Sequence, residues 1–155
     1  QGVTGLFTDS EEETEESDVE EFMTFDHLGE KELKKAKEVL PGLYVPTYIP
    51  EGYEFEKLEI QKYYSGDFHG KYLYKSNNDT ITILLYYSGD LEVSYQLPEN
   101  GQLIELGDRK IIVFEDEVES RNWVSVYMED CTVDITGKCS VEDLIMIGKK
   151  LNMSK

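Results

Sequence analysis

The pattern of apolar and polar positions divides the chain into an acidic part, a helical part and a long alternating part. Residues 1–24 are polar, acidic and without periodicity, whereas residues 25–40 carry apolar side chains at helical spacing. Pro46 and Pro50 fix φ and disfavour helical residues before them, so no helix continues into the alternating part. The sequence therefore predicts a disordered acidic tether over residues 1–24 and a single α+β domain over residues 25–155.

Alternation with a period of two predicts a series of short strands after Pro50. It is clear at Ile81, Ile83, Leu85 and Tyr87, and it recurs further along the chain. Strands are predicted near residues 53–64, 71–76, 80–88, 92–97, 102–106, 109–115, 122–128 and 132–136. Short turns rich in Gly, Asn and Asp separate them, and short connections join antiparallel neighbours. The predicted fold class is therefore α+β, a curved antiparallel meander of about seven or eight strands with one helix before it and one after it.

Two amphipathic segments predict these flanking helices. The first spans Phe25 to Leu40, with Asp26 as its cap and a narrow apolar stripe along one side. The second opens at Ser140, which with Asp143 resembles a capping box. Its apolar positions follow one helical face, so we expect it to pack against the sheet.

The charge of the chain excludes some partners. Among 155 residues, 33 are acidic and 15 are basic, which gives a net charge of -18. Such a surface repels phosphate backbones and anionic lipids, so we expect no nucleic-acid partner. No apolar run approaches the roughly 20 residues that span a bilayer. Membrane attachment is therefore expected only through an anchor upstream of Gln1.

Tyrosine is abundant, with 11 residues in the chain, and two interpretations stay open. Tyrosine suits half-buried strand surfaces, but it also builds aromatic binding platforms. A five-residue motif, Tyr63-Tyr64-Ser65-Gly66-Asp67, recurs as Tyr86-Tyr87-Ser88-Gly89-Asp90. The motif is either two similar strand ends or two tyrosine pairs lining one groove. For a groove, the candidate ligand-binding residues are Tyr64, Tyr72, Tyr87 and Tyr95.

No catalytic or metal-binding constellation can be identified. A Gly-x-Ser-x-Gly motif is missing, and His27 and His69 are the only histidines, with His69 in a predicted hairpin turn. Cys131 and Cys139 match no zinc spacing, and we favour two separate buried thiols, although a disulfide stays open. Acidic residues are so numerous that a carboxylate-based hydrolase remains an alternative. We therefore assign no catalytic residue, no metal and no cofactor.

Several motifs together resemble a bacterial family known as domain of unknown function 4367. They are Pro46-Thr47-Tyr48-Ile49-Pro50-Glu51-Gly52-Tyr53, Trp123, Val133-Asp134-Ile135-Thr136-Gly137 and Cys139-Ser140-Val141-Glu142-Asp143-Leu144. With the closing helix, the resemblance covers roughly residues 28–152. It implies the extracytoplasmic part of a single-span, anti-sigma-factor-like protein of Gram-positive bacteria, anchored at the cell surface. It brings no catalytic residues.

These observations favour a non-catalytic sensory or protein-interaction domain outside the membrane, with an unidentified protein partner or cell-envelope ligand. The alternative is a binder or carrier of an apolar or cell-wall ligand on the concave, tyrosine-rich sheet face.

Overall fold

A computed structural model describes residues 19–88, 101–115 and 121–153 of the chain. Its elements are β1 (Val19–Phe25), α1 (Glu30–Val39), β2 (Tyr44–Pro46), β3 (Glu54–Tyr63), β4 (Phe68–Lys75), β5 (Thr80–Tyr87), β6 (Gly101–Leu106), β7 (Arg109–Glu115), β8 (Asn122–Tyr127), β9 (Thr132–Gly137), α2 (Val141–Lys149) and β10 (Leu151–Met153). The predicted α+β class and the antiparallel sheet are confirmed. The predicted strand at 92–97 lies outside the described residues.

Eight strands form one antiparallel sheet in the order β1-β3-β4-β5-β9-β8-β7-β6, and β2 pairs with β10 in a second sheet. The runs β3 to β5 and β6 to β9 are each meanders, because neighbours in the chain are neighbours in the sheet. The second run returns toward the first, so that β9 lies beside β5 with Ile83 opposite Ile135. This order refines the predicted meander, since the chain crosses from β5 to the far edge before β6.

The edge strand β1 corrects the sequence-based boundaries. Residues 19–24, which the sequence analysis assigned to the tether, form β1 together with Phe25, and β1 pairs antiparallel with β3. Met23 lies opposite Ile60 and Phe25 opposite Leu58, so β1 directs apolar side chains into the core. Because Phe25 belongs to this strand, α1 begins at Glu30, five residues later than predicted. Residues 1–18 of the predicted tether lie outside the described residues.

One side of the main sheet is packed. Leu58, Ile60, Ile83 and Ile135 are fully buried on it and belong to the core that Ala36 of α1 also joins. On α2, Leu144, Ile147 and Gly148 are buried, and an added Cβ on Gly148 would come within 2.8 Å of Val126 Cγ2. This helix therefore packs tightly on β7, β8 and β9, as the sequence predicted.

Hydrogen bonds define both ends of α2. The predicted cap is confirmed, because Ser140 Oγ accepts a hydrogen bond from the Asp143 N–H at 3.1 Å. At the other end, the Arg109 guanidinium donates to the carbonyl oxygens of Gly148 at 2.8 Å and of Leu151. The strand β7 is thereby joined to the helix and to β10. No helix within residues 19–88, 101–115 and 121–153 is long and apolar enough to cross a membrane.

The opposite side of the main sheet, which we call the open face, is packed against neither α1 nor α2. Its rows of cross-strand neighbours include Glu59, Lys71, Leu84 and Asp134, whose side chains are all partly exposed. On β3, β4, β5 and β9, alternation between a buried side and a partly exposed side is typical of an antiparallel sheet with one solvated face. On β7 and β8, Ile112 and Ser125 of this side are buried as well.

Candidate functional site

Two of the four predicted ligand-binding tyrosines lie in the core. The Tyr72 side chain is fully buried, and its hydroxyl donates to the Tyr44 carbonyl oxygen at 2.8 Å. The Tyr87 side chain is 9% exposed, and its hydroxyl donates to the Gly42 carbonyl oxygen and accepts from the Tyr44 N–H, both at 3.0 Å. Tyr44, Tyr72 and Tyr87, which we call the buried tyrosine cluster, thus attach residues 42–44 to the sheet.

Burial makes the hydroxyls of this cluster harder to ionise. It raises the pKa of Tyr72 and of Tyr87 above the ordinary tyrosine value. Burial, followed by the nearby Asp130 carboxylate, raises the pKa of Tyr44 to about 12. Because each hydroxyl keeps its proton at neutral pH, each can donate the hydrogen bond seen in the structure. The cluster therefore has a structural role.

The three predicted residues that the structure describes, Tyr64, Tyr72 and Tyr87, do not form one surface. Tyr64 is 70% exposed in the turn after β3, away from the core that holds Tyr72 and Tyr87. Tyr95 lies outside the described residues. Ligand binding by these tyrosines stays a prediction, and for Tyr72 and Tyr87 it requires that residues 42–44 move away from the sheet.

A different aromatic group lies on the open face. His69 is flanked by Tyr63 and Tyr86, with ring centroids 4.7 Å and 5.1 Å from the imidazole. The Tyr63 hydroxyl also lies 3.2 Å from His69 Nδ1 and donates to Gln61 Oε1 at 2.9 Å. The prediction that His69 occupies a hairpin turn is wrong. It belongs to β4, because the turn ends at Asp67 and Phe68 already pairs with Lys62.

A groove of about 220 Å³ adjoins this aromatic group. It is lined by Phe22, Glu59, Gln61, His69, Gly70, Lys71, Leu84 and Tyr86. Phe22, on β1, is 54% exposed, so a large apolar ring is accessible at the edge of the groove. Glu59 lies between two ammonium groups, with its oxygens 3.7 Å from Lys57 Nζ and 3.8 Å from Lys71 Nζ. In an acidic protein, this part of the surface does not carry an excess of negative charge.

A second aromatic pair lies further along the open face. Trp123 of β8 stacks on Phe114 of β7 with ring centroids 4.1 Å apart, and Trp123 is 38% exposed. Exposed aromatic rings of this kind are enriched where proteins contact one another. The Trp123–Phe114 pair is therefore suited to contact with a partner and not to acid–base catalysis.

The buried carboxylate of Asp79 is also used structurally. It accepts hydrogen bonds from the Tyr53 hydroxyl at 2.7 Å, the Lys138 N–H at 2.8 Å and Arg121 at 3.0 Å. Burial acts to raise the pKa of Asp79, but these hydrogen bonds and the Arg121 charge lower it below its ordinary value. A general acid of a glycosidase needs the opposite shift.

Both cysteines are free thiols, as expected, but only Cys131 is buried, whereas Cys139 is partly exposed. Burial raises the pKa of Cys131 to about 12 and that of Cys139 to about 11. Since the thiolate is the nucleophile, neither residue is activated for covalent catalysis. Within the described part of the chain, no group of three or more His, Cys, Asp or Glu side chains could hold a metal ion.

The candidate ligand-binding residues chosen from the sequence did not include Phe22, His69, Tyr86 or Trp123. The available signal was the strand period, because each occupies a position that alternates with a core residue. It was obscured for Phe22 by the neighbouring glutamates. The repeated motif contributes to the groove region, because the first tyrosine of each copy packs against the His69 ring. These residues are Tyr63 and Tyr86.

Comparison with known proteins identifies a family match. A family model described as Domain of unknown function (DUF4367) matches residues 43–151. No curated protein matches the chain significantly.

Two solved structures resemble part of the chain. They are described as the crystal structure of MucB in complex with MucA(peri) and the complex structure of Pseudomonas aeruginosa MucA/MucB. Each shares 8% identity over 72% of this chain with a TM-score of 0.44. This chain covers 36% of the first and 35% of the second, about a third of their length. Similarity at this level does not assign a function.

Proposed function

The chain belongs to the family described as Domain of unknown function (DUF4367), and we propose that it is a non-catalytic, extracytoplasmic protein-interaction domain of a membrane-anchored bacterial protein. The observation that carries the proposal is the open face, a sheet surface with accessible aromatic rings that neither described helix covers. The location follows from the family resemblance in the motifs around Pro46 and Ser140. The domain serves to recognise a partner and to report that recognition to the anchored protein.

The open face has the composition of a binding surface. Phe22 and Trp123 present large apolar rings to solvent, and His69 and Tyr86 lie between them on the same side of the sheet. Aromatic residues contribute most of the binding energy in many protein interfaces, because they bury a large area with few rotatable bonds. The mixed charges around Glu59 also allow a partner to approach an otherwise acidic protein.

The polar groups in the core support a binding function over a catalytic one. In the buried tyrosine cluster, the hydroxyls of Tyr72 and Tyr87 bind backbone groups and that of Tyr44 donates to Asp130 Oδ1. The Asp79 carboxylate accepts three hydrogen bonds from other residues of the chain. The alternative ligand-binding function on Tyr64, Tyr72, Tyr87 and Tyr95 ranks second, because it must first break the bonds of Tyr72 and Tyr87 to residues 42–44.

Location is tested by adding protease to intact cells that produce the full-length protein with an epitope in this domain. We expect rapid loss of the epitope while a cytoplasmic marker protein survives. Survival of the epitope until the cells are lysed would place the domain inside the cell and contradict the proposal.

Interaction is tested by co-purification from solubilised membranes of the host. The wild-type chain is compared with Phe22→Ser and Trp123→Ser on the open face and with Lys35→Ser, an exposed control on α1. We expect a specific protein to co-purify with the wild type and with the control. Its yield should fall with each of the two open-face variants. Equal recovery with all variants, or no specific protein with the wild type, would refute the proposed surface.

A further inference from the structure

We propose that β1 is the docking strand for an extended segment of a different protein, which joins the sheet beside β1 with basic residues near Glu20 and Glu21 and an apolar residue beside Phe22. This inference rests on the proposed function, because it names the edge and the kind of segment through which the partner binds.

The outer side of the β1 backbone is available for pairing with another strand. This strand is at one end of the sheet order and pairs with β3 on its inner side. In the described part of the chain, no strand pairs with its outer side. Alternate residues of an antiparallel strand direct their N–H and C=O groups outward, so an edge strand is a template for another strand. An incoming segment gains main-chain hydrogen bonds in this way, as in other cases of strand addition.

The opposite edge strand, β6, is a poorer template. Four of the seven β1 residues are exposed, whereas two of the six β6 residues are exposed. The exposed β1 residues are Glu20, Glu21, Phe22 and Thr24. The larger exposure of β1 favours this edge as the place where another chain can approach.

The groove beside β1 favours an apolar side chain in the incoming segment. Phe22 lies on the open-face side of β1 and forms the outer wall of the groove that also contains His69 and Tyr86. Side chains on neighbouring strands lie about 5 Å apart when they are directly opposite. An apolar residue of the incoming strand therefore contacts the Phe22 ring and removes it from water, which adds side-chain selectivity to the main-chain bonds.

Charge identifies the class of segment. Glu20 and Glu21 are exposed at the edge, and Glu20 Oε2 lies 3.2 Å from Lys62 Nζ. A second copy of this chain would bring a further net charge of -18 and a second pair of glutamates to the same edge. Like charges on adjacent strands are destabilising and opposite charges are favourable. The occupant is therefore a segment with Lys or Arg residues from another protein and not a second copy of this chain.

The test is selection of short linear peptides from a displayed random library, with the whole chain as bait. The enriched peptides are resynthesised and their binding is measured by fluorescence anisotropy. We expect sequences that alternate basic or polar with apolar residues, and protection of the β1 amides from hydrogen exchange when the peptide binds. N-methylation of alternate peptide amides should abolish binding, because a methylated nitrogen cannot donate to the strand.

Matched variants distinguish binding at the β1 edge from an effect of the total charge of the chain. Glu21→Lys and Phe22→Ala should each weaken peptide binding by about tenfold. Glu105→Lys, the same charge change on β6, should alter it by less than about twofold, because the two strands lie at opposite edges of the sheet.

Failure of the peptides to enrich would overturn the inference. So would binding that survives N-methylation, protection of β6 in place of β1, or equal effects of Glu21→Lys and Glu105→Lys. The host co-purification separates failure of edge docking from failure of the proposed function. If Glu21→Lys recovers the host protein at the wild-type yield while open-face variants lose it, edge docking fails and the proposed function stands. If the wild type recovers no specific host protein, the proposed function itself fails.

Discussion

Replacement of Tyr87 by Phe tests whether the buried tyrosines are structural. The change keeps the ring and removes one oxygen atom. The Tyr87 hydroxyl donates to the Gly42 carbonyl oxygen and accepts from the Tyr44 N–H, each at 3.0 Å, and the side chain is 9% exposed. The variant therefore removes two hydrogen bonds without removing the apolar surface that the ring buries.

The expected loss can be worked out from these contacts. Each hydrogen bond contributes about 1 kcal/mol net to stability, and a buried N–H left without a partner costs about 1–3 kcal/mol. Tyr87→Phe should therefore lower the free energy of unfolding by about 2–4 kcal/mol. The exposed Tyr64→Phe, matched in chemistry, should change it by less than about 0.5 kcal/mol.

Urea unfolding followed by circular dichroism measures both variants. Tyr72→Phe should also destabilise the chain, and since Tyr72 and Tyr87 both bind the backbone of Tyr44, the double variant should show coupling of about 0.5 kcal/mol or more. Unchanged stability of Tyr87→Phe would refute the structural role and favour a ligand-binding role for this hydroxyl.

Three further predictions follow from the core. Because hydrogen bonds and a nearby cation lower the pKa of Asp79 despite burial, its carboxylate stabilises the fold above pH 3.8. The stability gap between wild type and Asp79→Asn should be largest at neutral pH and shrink as acid protonates Asp79, whereas a pH-independent gap would contradict this. Cys131 and Cys139 should react slowly with iodoacetamide until urea unfolds the chain, because burial raises both pKa values; a native mass lower by two hydrogens would instead indicate a disulfide. Gly148→Ala should lower the thermal midpoint although Ala favours helices by about 1 kcal/mol, since its Cβ would lie 2.8 Å from the stiff Val126 side chain; an unchanged or higher midpoint would show that the helix can shift.

The sequence predicted the class of fold correctly because the core residues of the strands recur with a period of two. Ile81, Ile83 and Leu85 recur at every second position, and they form the buried side of β5. Ser140 caps α2 as its spacing predicted. These are local signals, and each depends on residues that are close in the sequence.

The order of the strands in the sheet could not be predicted from such local signals. The position of β9 beside β5 depends on the side from which a whole run of strands returns, and no local pattern encodes that choice. β1 was missed because Glu20 and Glu21 interrupt its apolar pattern, although Met23 and Phe25 face the core. At an edge strand, charge next to apolar residues is compatible with pairing on one side and solvent on the other.

The candidate site was the hardest part to predict. Tyrosine is used both in cores and on binding surfaces, and only the strand register decides which. The register places Tyr72 and Tyr87 beneath residues 42–44, whereas Tyr86, one residue earlier in the chain than Tyr87, reaches the open face. A shift of one position along a strand exchanges the two roles.

Photo-crosslinking in the host tests most directly whether the open face contacts a protein. A photoreactive amino acid is placed at Thr24 and Lys110, exposed positions on the open face, and at Lys35 and Glu142 on the two helices. We expect the same protein to be crosslinked from Thr24 and Lys110 and not from the helix positions. No crosslinked protein from the open face, or equal crosslinking from the helices, would contradict it.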